Sequence, residues 1–387
     1  MRRNRIIWAA LWVASVVLIS FYGGAVSYGI FTILTLTPVI SLAYILLVLA
    51  RFKIYQYFEC PEIVSRHVIP FYFTLQNEDF FAFSGVRVNF YSDFSSIEGL
   101  SDDIEYELLP GTKIKKDTGL ICRYRGEYEV GIRSVVLQDH LRLFKITYRN
   151  REPLRVTVLP DIIELNSLRS LDMDMISDRE GGADREYPDV TVRDYIAGDD
   201  IRLMSWKQTA RTGRLSVRNL IGEEKDGVGI VADNIRSAED RNTYLPIENR
   251  ILETVIALSL FLKNKNIPVS VYYRQGSLDE QAVDSADTFN ALYRIMSELS
   301  FDPPSEKTVL YKELMEQGSV YSKRTLFIVT ADADETVLEF SKSLNDSNTD
   351  VIIYLVKNSA ETETPVKVFA HTGIFTVPAD GDPVDIL

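Results

Sequence analysis

Two uncharged apolar runs occupy the first fifty residues of the chain. They cover residues 6–22 and 28–50, and the segment GGAVS, with two glycines, separates them. The second run is long enough to cross the ~30 Å hydrocarbon core of a bilayer, and the first is just long enough. The pattern predicts two transmembrane helices within residues 1–52, joined as a hairpin.

Basic residues flank this hairpin on one side only. Arg2, Arg3 and Arg5 precede the first run, Arg51 and Lys53 follow the second, and the turn between the runs has no positive charge. The positive-inside rule then predicts a multi-pass protein of the inner (cytoplasmic) membrane whose soluble domains are cytoplasmic. The alternative is a cleaved signal peptide, because the first run is short and follows arginines. No A-x-A cleavage site precedes Gly23, and a second apolar run follows at once.

Residues 58–160 alternate between apolar and polar positions. The alternation is clear at Val86, Val88 and Phe90, and again from Tyr128 to Ile132. A period of two is typical of half-buried strands, and turn-forming segments recur at roughly ten-residue spacing. We expect an antiparallel β-sandwich-like module. It is either a binding or spacing domain at the membrane surface, or a structural scaffold.

Residues 223–387 change to a regular alternation of strands and helices. Buried strands are predicted at 227–232, 268–273, 325–330 and 351–356, and helices at 251–262, 286–299, 309–316 and 335–344. This alternation predicts a mostly parallel sheet with helices on both faces. A sheet of that kind binds its ligands at the carboxyl ends of the strands. The whole chain is therefore expected to be an α+β multidomain protein.

Composition narrows the classes of function. The net charge of −13 argues against nucleic-acid binding, which requires a basic surface. Cys60 and Cys122 do not make a disulfide framework, and unpaired thiols fit a cytoplasmic location. The three histidines are far apart in the sequence, so a zinc site is not expected.

The linker region, residues 161–222, contains the densest cluster of Arg, Asp, Gly and Trp. Gly198 is expected to form a turn, Asp199 or Asp200 to cap a helix over 201–212, and Gly213 to end that helix. Two interpretations of the charges stay open. The arginines form an anion site or docking surface, or they form a salt-bridge network with Trp206 and Tyr195 packed between the two domains. The cluster contains no Ser/His/Asp set and no Walker-type glycine loop.

The spacing within this cluster resembles the signature of the bacterial "domain of unknown function 58" family. The matching residues are Arg193, Tyr195, Gly198, Asp199, Arg202, Trp206, Ala210, Arg211, Gly213 and Leu215. The resemblance implies two N-terminal membrane spans, a β-rich region and a C-terminal von Willebrand factor A-like domain with a Rossmann-type α/β fold.

Related von Willebrand factor A domains hold Mg²⁺ with an Asp-x-Ser-x-Ser motif after the first strand. Here the corresponding residues are Asp233, Ile235 and Ser237, and isoleucine cannot be a ligand. Ala331 stands where a later acidic ligand is usual, so Asp332 or Asp334 would have to replace it. The implied metal ligands are Asp233, Ser237 and Asp332; the alternative role for Asp233 is to cap a strand-to-helix turn.

The function implied by the resemblance is that of a membrane-anchored, non-enzymatic adaptor. Members of the family commonly accompany MoxR-type AAA ATPases, which implies a role beside such an ATPase in complex assembly or envelope-related processes. On this interpretation the signature residues form the docking surface, and no cofactor is needed. The alternative is a divalent-metal-dependent enzyme or metal-mediated ligand-binding protein that uses Asp233 and the central carboxylates. A third hypothesis reverses the topology and exports the β-rich module.

Overall fold

The chain divides into two compact units, Met1–Asp161 and Ile162–Leu387. The computed structural model describes residues 1–58, 62–100, 104–168, 186–195, 203–222, 227–347, 349–358, 366–369 and 372–380. Residues 161–222, expected to be a linker, begin at the boundary and otherwise lie within the second unit.

Two apolar helices begin the first unit, α1 (Arg2–Tyr22) and α2 (Ala25–Arg51). Both are long and apolar enough to cross a membrane. Gly23 ends α1 with a φ of 51°, a left-handed conformation that glycine adopts without strain. The turn is therefore only Gly23 and Gly24, shorter than the five residues expected from the sequence. Trp12 Nε1 donates a hydrogen bond to Thr35 Oγ1 at 3.1 Å and joins the two helices.

Within the described residues of the first unit, eleven strands follow and form three small sheets. The sheet orders are β1-β3-β7-β5, β10-β9-β4-β6 and β2-β11-β8, and only β2 and β11 pair in parallel. Their buried positions alternate along the chain, and Phe71, Phe73 and Leu75 supply one side of the core. The strands are β1 (Lys53–Phe58), β2 (Glu62–Val64), β3 (Val68–Gln76), β4 (Phe83–Phe90), β5 (Ser95–Ile97), β6 (Glu105–Leu108), β7 (Lys113–Cys122), β8 (Gly126–Val130), β9 (Ile132–Gln138), β10 (Lys145–Arg149) and β11 (Leu154–Leu159).

The sequence pattern predicted a single strand from Tyr128 to Ile132, but the structure has two strands there. Gly131 separates β8 from β9 with a φ of 80°, and the two strands belong to different sheets. A residue in the left-handed region breaks the extended backbone, and glycine allows it at no steric cost. The period of two continues across the break, so the pattern alone does not reveal it.

The second unit begins with a hairpin of β12 (Glu186–Asp194) and β13 (Ser216–Gly222). A short helix, α3 (Trp206–Thr212), lies between these strands in the chain. A helix was expected over 201–212. Within the described residues it begins at Trp206, because residues 203–205 are not α-helical. Gly213 ends α3 with a φ of 70°, as predicted. The expected cap at Asp199 or Asp200 lies outside the described residues.

A seven-stranded sheet forms the rest of the second unit. Its order is β16-β15-β14-β17-β18-β20-β19; the pairing is parallel except at the two edge strands, β16 and β19. The elements are β14 (Val228–Ala232), α4 (Arg241–Asn264), β15 (Val269–Arg274), β16 (Leu278–Val283), α5 (Ala286–Glu298), α6 (Lys307–Glu316), α7 (Gly318–Tyr321), β17 (Thr325–Thr330), α8 (Glu335–Asp346), β18 (Asp350–Lys357), β19 (Val366–Phe369) and β20 (Thr372–Pro378).

Helices cover both faces of this sheet, as the strand and helix pattern predicted. Val228 and Ile230 of β14 pack in one core cluster with α4 and α5, whereas Val231 packs in another with α6 and α8. Helix α4 begins ten residues before its predicted start at Ile251. Pro246 lies inside this added part, and a proline is normally a signal that a helix has not yet begun.

Candidate functional site

The strand order of the large sheet reverses between β14 and β17. From this pair the sheet extends through β15 to one edge and through β18 to the other. Loops after such neighbouring strands leave in opposite directions and open a crevice at their carboxyl ends, where α/β sheets bind ligands. Asp233 follows β14 at this point, and Thr330 ends β17 beside it. The candidate site is therefore this crevice.

Asp233 is the central acidic group of the crevice and is 2% exposed. Its Oδ2 accepts hydrogen bonds from the Tyr311 hydroxyl at 3.0 Å and from Thr330 Oγ1 at 2.6 Å. Its Oδ1 is buried and has no hydrogen-bond partner among the described residues. Burial raises the pKa of Asp233, while the positive charge of Lys307 and the two hydroxyl donors oppose that rise. The carboxyl group thus anchors the ends of two strands to α6.

Tyr311 is suited to donate to this carboxyl group. The side chain is completely buried on α6, and burial raises the pKa of Tyr311 well above its usual value of 10.0. The adjacent charge of Asp233 acts in the same direction. The phenol therefore stays protonated at neutral pH and keeps its hydrogen for Asp233.

Lys307 brings a positive charge to the same edge. Its Nζ donates to the backbone carbonyl of Asp332 at 2.7 Å and pairs with Asp334 Oδ2 at 3.2 Å. The side chain is only 14% exposed. Asp334 also caps α8, because its Oδ1 accepts from the Val337 N–H at 3.1 Å. The lysine therefore links the start of α6 to the turn between β17 and α8.

The residues expected to bind a metal do not fit a divalent cation. Thr330 brings Asp233 and Asp332 together, since its hydroxyl donates to the Asp233 carboxyl group and accepts from the Asp332 N–H at 3.2 Å. Ser237 is exposed and Ile235 is buried in the apolar core. Mg²⁺ requires about six oxygen ligands, whereas Asp233 has one free oxygen and an ammonium group nearby. No group of three His, Cys, Asp or Glu residues suited to a metal occurs among the described residues.

The alternative role for Asp233, capping a strand-to-helix turn, is also not what its side chain does. Helix α4 begins at Arg241, after the N-cap residue Asp240. The Asp233 carboxyl group instead contacts Tyr311 and Thr330, which are distant in the sequence.

Arg274 forms a second polar cluster at this edge, which the sequence did not reveal. It ends β15, is 11% exposed, and pairs with Asp302 at 2.8 Å, Glu306 at 3.1 Å and Glu313 at 3.5 Å. The buried Asn234 side chain fixes the same strand, accepting from the Arg274 N–H and donating to the Arg274 carbonyl. The carboxylates come from the loop and helix after α5, so no local motif signals them.

The signature residues lie on the β12–β13 hairpin and α3. Arg193 is in β12 opposite Val217, and the Tyr195 N–H donates to the Leu215 carbonyl at 2.9 Å. Gly198, Asp199 and Arg202 lie outside the described residues. Trp206 is 63% exposed.

The cations of this region share that exposure. Lys207, Arg211, Arg214 and Arg218 are exposed, and none of them has an ion pair within the described residues. Leu215, next to Arg214, is 47% exposed. We call Trp206, Lys207, Arg211, Arg214 and Leu215 the α3 face. An exposed tryptophan among arginines matches the composition of the energetic centres of protein interfaces.

The fold and the site together define a class: a chain with two membrane-length apolar helices, a β-rich unit and an α/β unit carrying an exposed basic and aromatic face. The family model described as "Protein of unknown function DUF58" matches residues 191–368 and supports the assignment of the chain to the DUF58 family. The match includes the α3 face and the crevice. No curated protein sequence matches the chain.

Solved structures give only distant similarities. The cupredoxin domain of amoB from Nitrosocaldus yellowstonii is 10% identical, with a TM-score of 0.21 over 31% of this chain and 95% of that chain. A GH20 exo-β-N-acetylglucosaminidase from Vibrio harveyi is 8% identical, with a TM-score of 0.18 over 80% of this chain and 57% of that chain. A β-glucuronidase from Bacteroides uniformis is 8% identical, with a TM-score of 0.16 over 78% and 33%.

Proposed function

We propose that the chain is a membrane-anchored adaptor that binds a protein partner through the α3 face. The observation that carries the proposal is the exposure of Trp206, 63% of whose surface faces solvent. A large aromatic side chain gains free energy when a partner covers it, and tryptophan is enriched among residues that dominate binding energy. The two apolar helices hold the protein in the membrane, and the soluble parts lie in the cytoplasm.

The charge of the α3 face points to an acidic partner surface. The chain carries a net charge of −13, yet this face presents three cations without ion pairs among the described residues. A local basic patch on an acidic protein attracts surfaces of complementary, acidic charge. Arginine can also pair with carboxylates through two parallel hydrogen bonds.

A MoxR-type AAA ATPase is the partner class implied by the family resemblance, and the family match over residues 191–368 supports the resemblance itself. The second unit is proposed to be a von Willebrand factor A-like domain. The sheet order, the antiparallel edge strand β16 and the aspartate after β14 support this assignment. In this domain Lys307 supplies the positive charge that a metal supplies in cation-binding relatives.

The crevice is proposed to be structural rather than catalytic. Asp233 is buried and binds Tyr311 and Thr330, so its carboxyl group is already committed to holding α6 and β17. The Arg274 cluster beside it is likewise composed of paired charges.

Binding to a purified ATPase tests the proposal. The full chain is placed in lipid nanodiscs, and a MoxR-type ATPase from the same organism is titrated by interferometry with and without ATP. Trp206→Ala should weaken binding by about 2 kcal/mol or more, roughly thirtyfold. Arg214→Glu should weaken binding and reduce its dependence on salt.

Val309→Ala is the matched control, because Val309 is also an exposed apolar residue of the second unit, 39% exposed on α6. It should bind like the unchanged protein. Absence of binding in every nucleotide state, or equal losses for the Trp206 and Val309 variants, would contradict the proposal.

A further inference from the structure

The loops at one end of the β-rich unit lie beside the second apolar helix. Strand β1 starts at Lys53, just after α2, and Lys53 pairs in register with Gln76, which pairs with Lys113. The connections 77–82, 109–112 and 139–144 therefore all lie at the end of the unit where α2 enters it. Antiparallel strands place alternate connections at one end, so this grouping follows from the topology.

Hydrogen bonds fix these loops to α2. The Tyr44 hydroxyl donates to the Ala82 carbonyl at 2.8 Å, and its ring lies 4.7 Å from that of His140. The Ser41 hydroxyl donates to the buried Asp139 carboxylate. The loops 77–82 and 139–144 are thus held at the level of residues 41–44 of the helix.

The first helix contacts the same loop. The Asn4 side chain donates to the Leu141 carbonyl at 3.0 Å, and Arg5 Nε donates to the Leu143 carbonyl at 2.6 Å. Both residues immediately precede the apolar run that begins at Ile6. The loop 139–144 is therefore positioned at the start of one span and near the end of the other.

Helix length sets the depth of these contacts. A ~30 Å hydrocarbon core, measured from Ala25 at ~1.5 Å per residue, ends about 20 residues later, at Tyr44. Beyond this point Ile45 and Val48 are buried in the core of the β-rich unit. The contacts of both helices therefore place the loops at the boundary between hydrocarbon and headgroups.

Each of the three loops exposes a large apolar side chain at this boundary. Phe80 is 88% exposed, Leu109 is 61% exposed and Leu141 is 50% exposed. The buried Asn77 side chain ties two of the loops together by donating to the carbonyls of Phe81 and Leu109. Glu78, beside Phe80, pairs with Lys53 at 2.6 Å, which offsets its charge.

We infer that Phe80, Leu109 and Leu141 insert into the bilayer interface and seat the β-rich unit on the lipid surface. The inference rests on the proposed membrane anchoring by α1 and α2. Apolar and aromatic side chains at this depth leave water for the acyl boundary, as in proteins bound at membrane interfaces. The partner of this surface is the lipid of the bilayer that the helices cross.

Fluorescence quenching by brominated lipid tests the inference. The full chain is prepared with Trp8, Trp12 and Trp206 replaced by Phe, and single tryptophans are introduced as Phe80→Trp or Leu109→Trp. The proteins are reconstituted in phosphatidylcholine vesicles brominated either near the glycerol or near the acyl terminus. Both reporters should shift to shorter emission wavelength and lose emission mainly to the shallow bromines.

Val68→Trp is the matched control in the same background. Val68 is 55% exposed and starts β3, eight residues or ~26 Å from the loop end of that strand. It should keep its emission with both lipids. Equal quenching at positions 68 and 80, or none at 80 and 109, would overturn the inference.

A second reporter separates this result from failure of the anchor. Trp12 alone, with Trp8 and Trp206 replaced, should be quenched by the deep bromines if α1 spans the bilayer. Quenching at Trp12 without quenching at position 80 leaves the anchor intact and rejects the seating of the loops. Absence of quenching at Trp12 rejects the anchor and the inference with it.

Discussion

The hydrogen bond between Tyr311 and Asp233 offers the sharpest test of the crevice. Tyr311→Phe removes only the hydroxyl, which donates to Asp233 Oδ2 at 3.0 Å, and both side chains are at least 98% buried. A buried hydrogen bond to a charged group contributes ~1.5–3 kcal/mol, and one between neutral groups ~0.5–1.5 kcal/mol. The loss should therefore depend on the protonation state of Asp233.

The direction with pH follows from the raised pKa of Asp233. Above that pKa the carboxylate is charged, so the substitution should cost ~1.5–3 kcal/mol. Below it the acid is neutral, so the cost should fall toward the smaller range. Thr330→Val is a parallel test. It removes the other donor, at 2.6 Å from Asp233 Oδ2, and should show the same dependence on pH.

Hydrogen exchange, followed by mass spectrometry on the full chain in micelles, measures this loss of stability locally. Peptides covering β14 and β17 should exchange about 10- to 150-fold faster in the Tyr311→Phe protein at alkaline pH, since each ~1.4 kcal/mol is a factor of ten. Peptides from β3 and β9 of the first unit serve as an internal reference. An unchanged exchange rate in β14, or a loss that is the same at acid and alkaline pH, would refute the reasoning.

Three further predictions concern the second unit. The pKa of Asp233 is raised in the folded state. Its contribution to stability is therefore full below the unfolded-state pKa and is lost as pH rises through the folded-state pKa. Asp233→Asn should abolish this pH-dependent loss, measured as the exchange protection of β14. Arg274→Met should lower the free energy of unfolding in urea by ~1.5–3 kcal/mol, because it leaves three partly exposed carboxylates without their cation, whereas Lys342→Met on α8 should cost little. Gly213→Ala should destabilise α3 by ~1–2 kcal/mol, because the φ of Gly213 is 70° and alanine is strained there. Gly318→Ala should not have this cost, because Gly318 has an ordinary φ.

The sequence was sufficient where one local pattern determines the structure. The uncharged runs predicted the two apolar helices, and the short apolar run between Thr325 and Thr330 predicted β17. Gly213 ended its helix because only a left-handed residue closes that turn cheaply. Edge strands β16 and β19 were missed. Strand β16 mixes polar and apolar residues without a clean alternation, and β19, Val366–Phe369, is only four residues long.

The candidate site could be predicted only in part. The alternation of strands and helices indicated the edge of the sheet, and the resemblance to von Willebrand factor A domains indicated Asp233. The hydroxyl donors, however, come from residues 78 and 97 positions away. Lys307 reaches the crevice from the start of a different helix, so no spacing in the sequence links it to Asp233. The exposure of Trp206 was likewise not predictable, because its segment reads equally as a packed or an open surface.

Site-specific photocrosslinking in intact membranes tests the central claim, docking through the α3 face, most directly. A benzophenone amino acid replaces Trp206 in the full chain, and the matched control carries it at Val309, an exposed position on α6. If the α3 face is the docking surface, position 206 yields an adduct with a MoxR-type ATPase and position 309 does not. Equal yields from the two positions, or no ATPase adduct from position 206, would contradict it.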